Sequence, residues 1–511
     1  MSIIMEAVLM ENTEVLIVDF QALENDWERL CSIYLPIFRE DSFWRFSSVY
    51  TPRHPEQGWK LHLSATILSA SNMLATIGPF LRDQQILFKA PSSLLELKKL
   101  NCGLFYGFSQ IGKCFTLYPQ TTEQALSLAE TLDTLTAGMS GPSVPYDLRL
   151  REGSCVYYRY GAFGATDMEA PGGRRVGAIR TPGGELYPDR REAGSAVPGW
   201  VENPFVEQKI LTGKRSIEKD FLQAGILAYE AISQRGKGGV YRALDLNTHP
   251  ARLCILKEGR THGEVDVDGQ DGYWHARNEA NVLSRLARAG INVPEIYKVY
   301  EAQNHHYIAM EYIRGKDLQT VLQERHNKIT LEEALSYGIQ IARLLEKIHT
   351  AGWVWRDCKP LNLLLTEGST LRPIDFEGAC SLDDMALSPW GTSGYVPPEW
   401  LKDPSTSSRK QQDLYALGAT LYQLFSGRIP DELSPVPIGT LRRHIPPAVR
   451  KVIAVLLHKN AHARPDAHTV AHILESSLSG KTEKALRTSL KQKRQGAVPT
   501  DEIVARNGPV C

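Results

Sequence analysis

The sequence predicts an α+β protein of at least two domains, and three observations carry that expectation. A chain of 511 residues is too long for a single hydrophobic core. Residues 1 to about 210 alternate strand-like and helix-like text. From near 225 strand-like text resumes, and from about 330 to 478 it gives way to mostly helical patterns. The boundaries expected are 1–212, 213–478 and a basic, then polar tail at 479–511 with no apolar face to pack. With 58 basic against 58 acidic residues and 42% apolar content, the composition is that of a soluble globular protein and carries no polyanion-binding footprint, so no nucleic-acid partner is expected.

In the first block, "TEVLIVDF", "WKLHLSAT", "QILFKAP", "KCFTLYP" and "CVYYRYG" read as strands, and "TTEQALSLAETLDTL" as a helix with a Thr cap. The stretch "GWKLHLSA" places Lys60, His62 and Ser64 at alternate positions. That pattern fits a solvated sheet face as well as half of an acid/base pair. The uncharged run "LHLSATILSASNMLATIGPF" contains His, Ser, Thr and Asn and reads as a strand followed by a buried helix, so no membrane span is expected. The N-terminus lacks the basic start of a signal peptide. Eight scattered cysteines form no C-x-x-C pair, which suggests reduced thiols in the cytoplasm and no zinc site. The Gly- and Pro-rich text at 163–205 reads as a long irregular excursion or hairpin closing this domain.

The second block carries ordered motifs. In "GKGGVY", Gly236, Gly238 and Gly239 follow a strand, where glycines let backbone N–H groups approach nucleotide phosphates. "CILKEG" puts Lys257 in the next strand, and Glu279 in the following helix is a candidate partner. "WRDCKPLN" has the D-x-K-x-x-N spacing of a phosphoryl-transfer loop. There Asp357 would accept the proton of the attacking hydroxyl, Lys359 would neutralise the γ-phosphate and Asn362 would hold magnesium. Asp375 in "PIDFEG" is the second candidate metal ligand, followed by "GTSGYVPPE" with Thr392, Ser393 and Glu399. Asp413 then opens a buried helix, and "ARPDA" carries Arg464.

Residues 225–478 closely resemble the protein-kinase family, which implies a bilobal fold, ATP (or GTP) with Mg²⁺, and Glu311 and Tyr312 beside the nucleotide. Two positions depart from the family pattern: Trp355 stands where the family usually has His, and the metal-binding triplet reads Asp-Phe-Glu before Gly378.

In the first block Lys60, His62, Lys89, Lys113 and Arg159 all lie in strand-like, apolar surroundings and could converge on an anion pocket. Beside a kinase, that pocket suits β-elimination from phosphoserine or phosphothreonine. The reaction needs a neutral lysine as base, an acid such as His62 for the departing phosphate, and cations, but no zinc. The text "GWKLHLSA … ILFKAPSSLLELKKLN … IGKCFTLYP … VYYRYGAF … PGWVENPF" together with the kinase motifs resembles the class III and related class IV lanthipeptide synthetases, whose N-terminal domain is similar to phosphothreonine lyases.

That resemblance implies Lys89 as general base, His62 as general acid, and Lys60 and Arg159 on the phosphate, with Lys113 and Arg149 as further contacts. An arginine usual before the Gly112–Lys113 pair is absent. The expected activity is dehydration of Ser/Thr in a ribosomal precursor peptide. A cyclase-like domain is missing from this chain, either because it is a two-domain enzyme served by a separate cyclase or because it is a piece of a longer one. The alternative is a regulatory Ser/Thr kinase whose first domain binds a phosphorylated ligand without turning it over.

Overall fold

The computed structural model describes residues 6–11, 14–38, 42–164, 166–170, 173–206, 224–383, 390–399, 409–431, 435–442 and 444–480. The expected tail thus lies almost wholly outside the described residues, as does Cys511.

The N-terminal half begins with a hairpin of β1 (Glu6–Glu11) and β2 (Glu14–Asp19). It continues through α1 (Phe20–Tyr34), β3 (Ile37–Phe38), β4 (Trp44–Phe46), β5 (Gln57–Leu63), α2 (Ala70–Asp83), β6 (Phe88–Pro91), α3 (Leu94–Cys102), β7 (Phe115–Leu117), α4 (Thr122–Leu135), β8 (Leu148–Arg149) and β9 (Val156–Ala162). Strands β3 to β9 form one seven-stranded sheet in the order β3-β4-β6-β7-β5-β9-β8.

Period-2 alternation decides its two faces. Trp59, Leu61 and Leu63 of β5, with Val156 and Tyr158 of β9, join a core with Trp27, Met73, Leu97 and Leu128 of the four helices. Lys60, His62, Tyr157 and Arg159 therefore point to the opposite face. The Thr cap expected for α4 is Thr121, whose hydroxyl accepts the Gln124 N–H at 3.1 Å.

Of the two alternatives for 163–205, an irregular excursion or a hairpin, the structure shows hairpins: a three-stranded antiparallel meander, β10 (Asp167–Ala170), β11 (Arg174–Arg180) and β12 (Leu186–Pro188). Its glycines sit in the connections, where Gly173 and Gly184 take positive φ. The loop text was thus turn chemistry between short strands. Phe205 then stacks on Tyr158 with ring centroids 4.1 Å apart, tying the end of the segment to the sheet.

The C-terminal half opens with a five-stranded antiparallel sheet, β13 (Ile226–Arg235), β14 (Gly238–Asp245), β15 (Arg252–Gly259), β16 (Ile296–Ala302) and β17 (His305–Glu311), in the order β13-β14-β15-β17-β16. The helix Gly272–Arg288 packs on it, started by the Asp271 carboxylate, which accepts the Trp274 N–H at 2.8 Å. A second, helical lobe follows. Its helix Leu331–Thr350 starts with a Thr330/Glu333 capping box, and its helix Arg409–Ser426 is buried from Gln412 to Phe425. A helix buried on every side sits inside a lobe, and the apolar residues of this one belong to the largest core, while its buried Gln412, Asp413, Thr420 and Gln423 are polar. No helix among the described residues is long and apolar enough to cross a membrane.

Candidate active sites

The first site lies between the lobes of the C-terminal half, in a cleft of about 780 Å³ lined by Gly238, Lys257, Glu311, Tyr312, Asp357 and Asn362 among others. The turn Gly236–Lys237 joins β13 to β14 at its roof. Gly238 is required there because a Cβ would fall 1.7 Å from the Glu258 carbonyl oxygen. Lys257 on β15 reaches Glu279 at 2.7 Å and Asp375 at 3.1 Å, so the pair expected between strand and helix is formed. Burial would lower the Lys257 ammonium, but the carboxylates of Asp375, Glu279 and Glu377 hold it well above its ordinary value. Glu279 also accepts the Phe376 N–H at 3.0 Å, fixing the triplet that carries Asp375.

Asp357 accepts from Lys359 at 2.6 Å and from Asn362 Nδ2 at 2.8 Å. The Thr392 hydroxyl donates to its other oxygen at 3.0 Å. Buried Asp413 accepts the backbone N–H groups of Trp355 and Arg356 at 2.9 and 2.7 Å, anchoring the loop from behind. Arg356 and Asp375 both hold positive φ, of 71° and 65°; such strain persists only where the surroundings overdetermine it. The two departures from the family pattern have visible roles. Trp355 stacks on Phe376 with centroids 5.2 Å apart and donates its indole N–H to the Asp375 carbonyl at 3.0 Å. Glu377 forms an ion pair with Lys237 of the glycine turn, linking the triplet to the roof. Glu311 lines the cleft, but its carboxylate is held by Arg372 at 2.8 Å.

The second site is on the helix-free face of the N-terminal sheet. Register brings its residues together: Lys89 pairs with Thr116, Thr116 with His62, and His62 with Tyr157. Residues directly opposite share a face, so Lys89 and His62 stand in one row across the strands. One step along the same face, Lys60 pairs with Arg159. Lys113 enters from the loop before β7. Its neighbour Gly112 holds a φ of 75° where a Cβ would approach the Pro142 carbonyl to 2.9 Å.

Burial lowers the ammonium groups of Lys60 and Lys89 to about 7. Arg191 and Lys113 push both the same way, while the Asp189 carboxylate opposes the shift at Lys60. Lys113 is lowered to about 8, again by burial first, against the pull of Asp147. Lys89 lies 4.0 Å above the Trp44 ring. Arg159 is tied to Asp189 at 2.6 Å, and its buried Nε has no hydrogen-bond partner among the described residues. Arg149 continues the row on the same face, opposite Tyr157, but stays exposed at the sheet edge, with its Nε 2.7 Å from the Tyr157 hydroxyl.

Sequence reasoning missed Asp147, Asp189 and Arg191. The Asp147 side chain is fully buried, 2.5 Å from His62 Nδ1 and 3.1 Å from Lys113 Nζ. Burial would raise its carboxyl, but His62 and Lys113 hold it below the usual range. An ionised carboxylate only accepts, so the His62 proton sits on Nδ1 and Nε2 is left for the pocket. Burial outweighs Asp147 at the imidazole itself, which lies well below its usual range and is neutral in this pocket. Asp147 stands in "PYDLRL", two residues before Arg149, where a lone acid in a loop gives no spacing signal. Among the described residues, no three His, Cys, Asp or Glu side chains are grouped to hold a metal ion, and the seven described cysteines are free.

Residues 37–216 match the family model described as RamC, N-terminal domain, and residues 229–474 match that of the protein kinase domain. A probable SapB synthase of Streptomyces coelicolor is 29% identical over 355 residues, covering 67% of this chain and 37% of that protein. Probable serine/threonine-protein kinases of Clostridium acetobutylicum and Clostridium perfringens are 31% and 34% identical, over 46% and 42% of this chain and 37% and 31% of their own lengths. The chain therefore spans about a third of the length of the curated relatives it matches.

Proposed function

Since this chain joins a RamC N-terminal domain to a protein kinase domain, we propose that it is a bifunctional peptide dehydratase of lanthipeptide biosynthesis, acting in the cytoplasm. The kinase domain transfers the γ-phosphoryl group of ATP or GTP to a Ser or Thr of a ribosomal precursor peptide. Asp357 takes the hydroxyl proton, and Lys359 offsets charge on the phosphoryl oxygens. Asp375 and the amide oxygen of Asn362 are hard oxygen donors suited to Mg²⁺, which supplies neutralisation of the phosphate charge when bound. The Asn362 amide nitrogen is already committed to Asp357, which leaves that oxygen free to serve.

In the N-terminal domain, Lys89 in its neutral form removes the Cα proton of the phosphorylated residue. The electron pair forms the Cα=Cβ bond, and the Cβ–O bond breaks. Phosphate leaves with a proton from His62, giving dehydroalanine or dehydrobutyrine. Lys60, Lys113 and Arg159 hold the phosphate. An incoming phosphate dianion faces the buried Lys113 and Arg159, the half-buried Lys60 and the imidazole, and its charge raises His62 toward the protonated state this step needs. Thioether closure falls to a further domain or a separate cyclase.

The observation that carries the proposal is the row Lys89–His62 with Lys60–Arg159 beside it, four candidate groups on one face. Similarity to the SapB synthase supports a peptide substrate. Mass spectrometry of a synthetic phosphoserine peptide tests it. The wild-type chain should remove the whole phosphate as an elimination product, and Lys89→Ala or His62→Ala should leave the phosphopeptide intact. Normal elimination by those variants would sink the lyase assignment. A wild-type chain that binds the phosphopeptide without turning it over would make the first domain a regulatory binding module.

A further inference from the structure

The roof of the nucleotide cleft does not stand free. The Gly236 N–H donates to the Cys102 carbonyl at the end of α3, 3.0 Å away. The approach is so close that a Cβ on Gly236 would lie 1.7 Å from the Asn101 carbonyl oxygen. On its other side the turn is packed by its own domain: the Lys237 N–H donates to Glu264 at 3.1 Å, and the Lys237 carbonyl accepts the Arg260 N–H at 2.8 Å. Glu264 and Arg260 belong to the loop 260–271 between β15 and the helix Gly272–Arg288, and that loop is itself bound to the N-terminal domain. The Arg260 guanidinium lies 5.2 Å from the Phe108 ring centroid, and Val267 is 0% exposed within the hydrophobic core of the N-terminal domain. The glycine turn is thus held between α3 of one domain and a loop that the same domain anchors.

Asn101 also reaches the other site. Its amide nitrogen donates to the Ala65 carbonyl at 3.0 Å, and its amide oxygen accepts the Gly112 N–H at 3.1 Å. Ala65 lies just beyond the strand of Lys60 and His62, and Gly112 precedes Lys113. One residue therefore touches the two backbone segments that carry three of the lyase candidates, while its own carbonyl and that of Cys102 meet the kinase's glycine turn.

We propose that the end of α3, Asn101–Cys102, is a positioning element of the phosphoryl-transfer site: the N-terminal domain fixes the glycine turn over the nucleotide, so nucleotide affinity is set across the domain boundary. This rests on the kinase reading above and not on the lyase one. A glycine turn left to itself loses conformational entropy each time it closes on phosphates; a turn already docked has lost it during folding. Coupling of this kind is reciprocal for binding, so a ligand of the lyase site that moves Asn101 alters nucleotide affinity by the same factor by which nucleotide alters that ligand's affinity.

The test uses the full chain with Phe108→Ala and Val267→Ser, which loosen the grip without touching either site. Titration with Mg-ATP should show affinity weakened about 5- to 30-fold in both, with kcat on a peptide changed less than about twofold. Hydrogen exchange of the amides at 236–241 should quicken, while those of the helix Arg409–Ser426 keep wild-type rates. Wild-type nucleotide affinity in both variants overturns the proposal, whether or not exchange quickens. So does weakened affinity with unchanged exchange at 236–241, since the turn would then not be what moved. Global loss of protection in Val267→Ser leaves Phe108→Ala, which only trims a half-buried ring, to decide. An inactive lyase does not affect these readouts, and a wild-type chain that binds no nucleotide fails the kinase reading instead.

Discussion

Asp147 shows what a single buried carboxylate does for two neighbours at once. It fixes the His62 ring through Nδ1 and pairs with Lys113, so one side chain sets both the aim of the proposed acid and the charge of a proposed phosphate contact. Asp147→Asn keeps the shape but can present an N–H to the imidazole, which favours the wrong tautomer. Elimination from a synthetic phosphopeptide should fall by roughly 10²- to 10⁴-fold while the rate of peptide phosphorylation stays within about twofold, a split read by mass spectrometry. Wild-type elimination by Asp147→Asn would remove it from the mechanism. The kinase residues were legible one by one because D-x-K-x-x-N, the strand lysine and the Asp-Phe-Glu triplet are local spacings. Asp147, Asp189 and Arg191 were not, because each acts by reaching across space from a loop.

At the scale of elements, the sheet does the assembling. Alternation in "GWKLHLSA" was visible, but not which strands would flank it. Only the register β6-β7-β5-β9 turns three scattered cations and a histidine into neighbours. A one-residue slip of β6 would send Lys89 into the helix-side core and Phe88 into the pocket. This gathering costs stability. The folded-state pKa of Lys89 is about 7 against 10.5 in the unfolded chain, so below about 7 both states are protonated and the folded chain carries the full penalty of a buried ammonium. Between about 7 and 10.5 the folded chain has shed a proton that the unfolded one keeps, and stability rises with pH. Lys89→Met should therefore be more stable than wild type at pH 6, on the order of 2 kcal/mol, with the advantage shrinking toward pH 10. Denaturant titrations at several pH values check this, and a pH-independent difference would mean that Lys89 is not buried as a charge. The hairpins at 167–188 were expected only as one of two alternatives, because strands of three to seven residues between glycine turns leave little period to detect.

Across the whole molecule, both halves were expected, with the correct classes of element, yet their attachment was not. Nothing in "RTHGEVDVDGQD" marks Val267 as a core residue of the other half, since two valines two positions apart in a polar loop do not tell which half either will pack in. With that side chain in the N-terminal core and Gly236 bonded to Cys102, unfolding of one half removes contacts from the other. Saturating Mg-ATP should then raise the melting temperature of the N-terminal half as well as that of the kinase half, by a few degrees for a ligand at about 100 times its Kd. Differential scanning calorimetry with hydrogen exchange on β5 reads this, and an N-terminal transition indifferent to nucleotide would mean the halves melt independently.

The buried Val267 also bears on how such enzymes can be recombined. A chimera that grafts a foreign kinase onto this N-terminal half at the chain junction would bring a foreign 260–271 loop with it, and that loop would either leave a cavity in the recipient's core or overfill it. The sequence unit that must travel with the N-terminal half is therefore discontinuous, and compatibility between parents is decided by a dozen residues inside the kinase rather than by the linker between the domains.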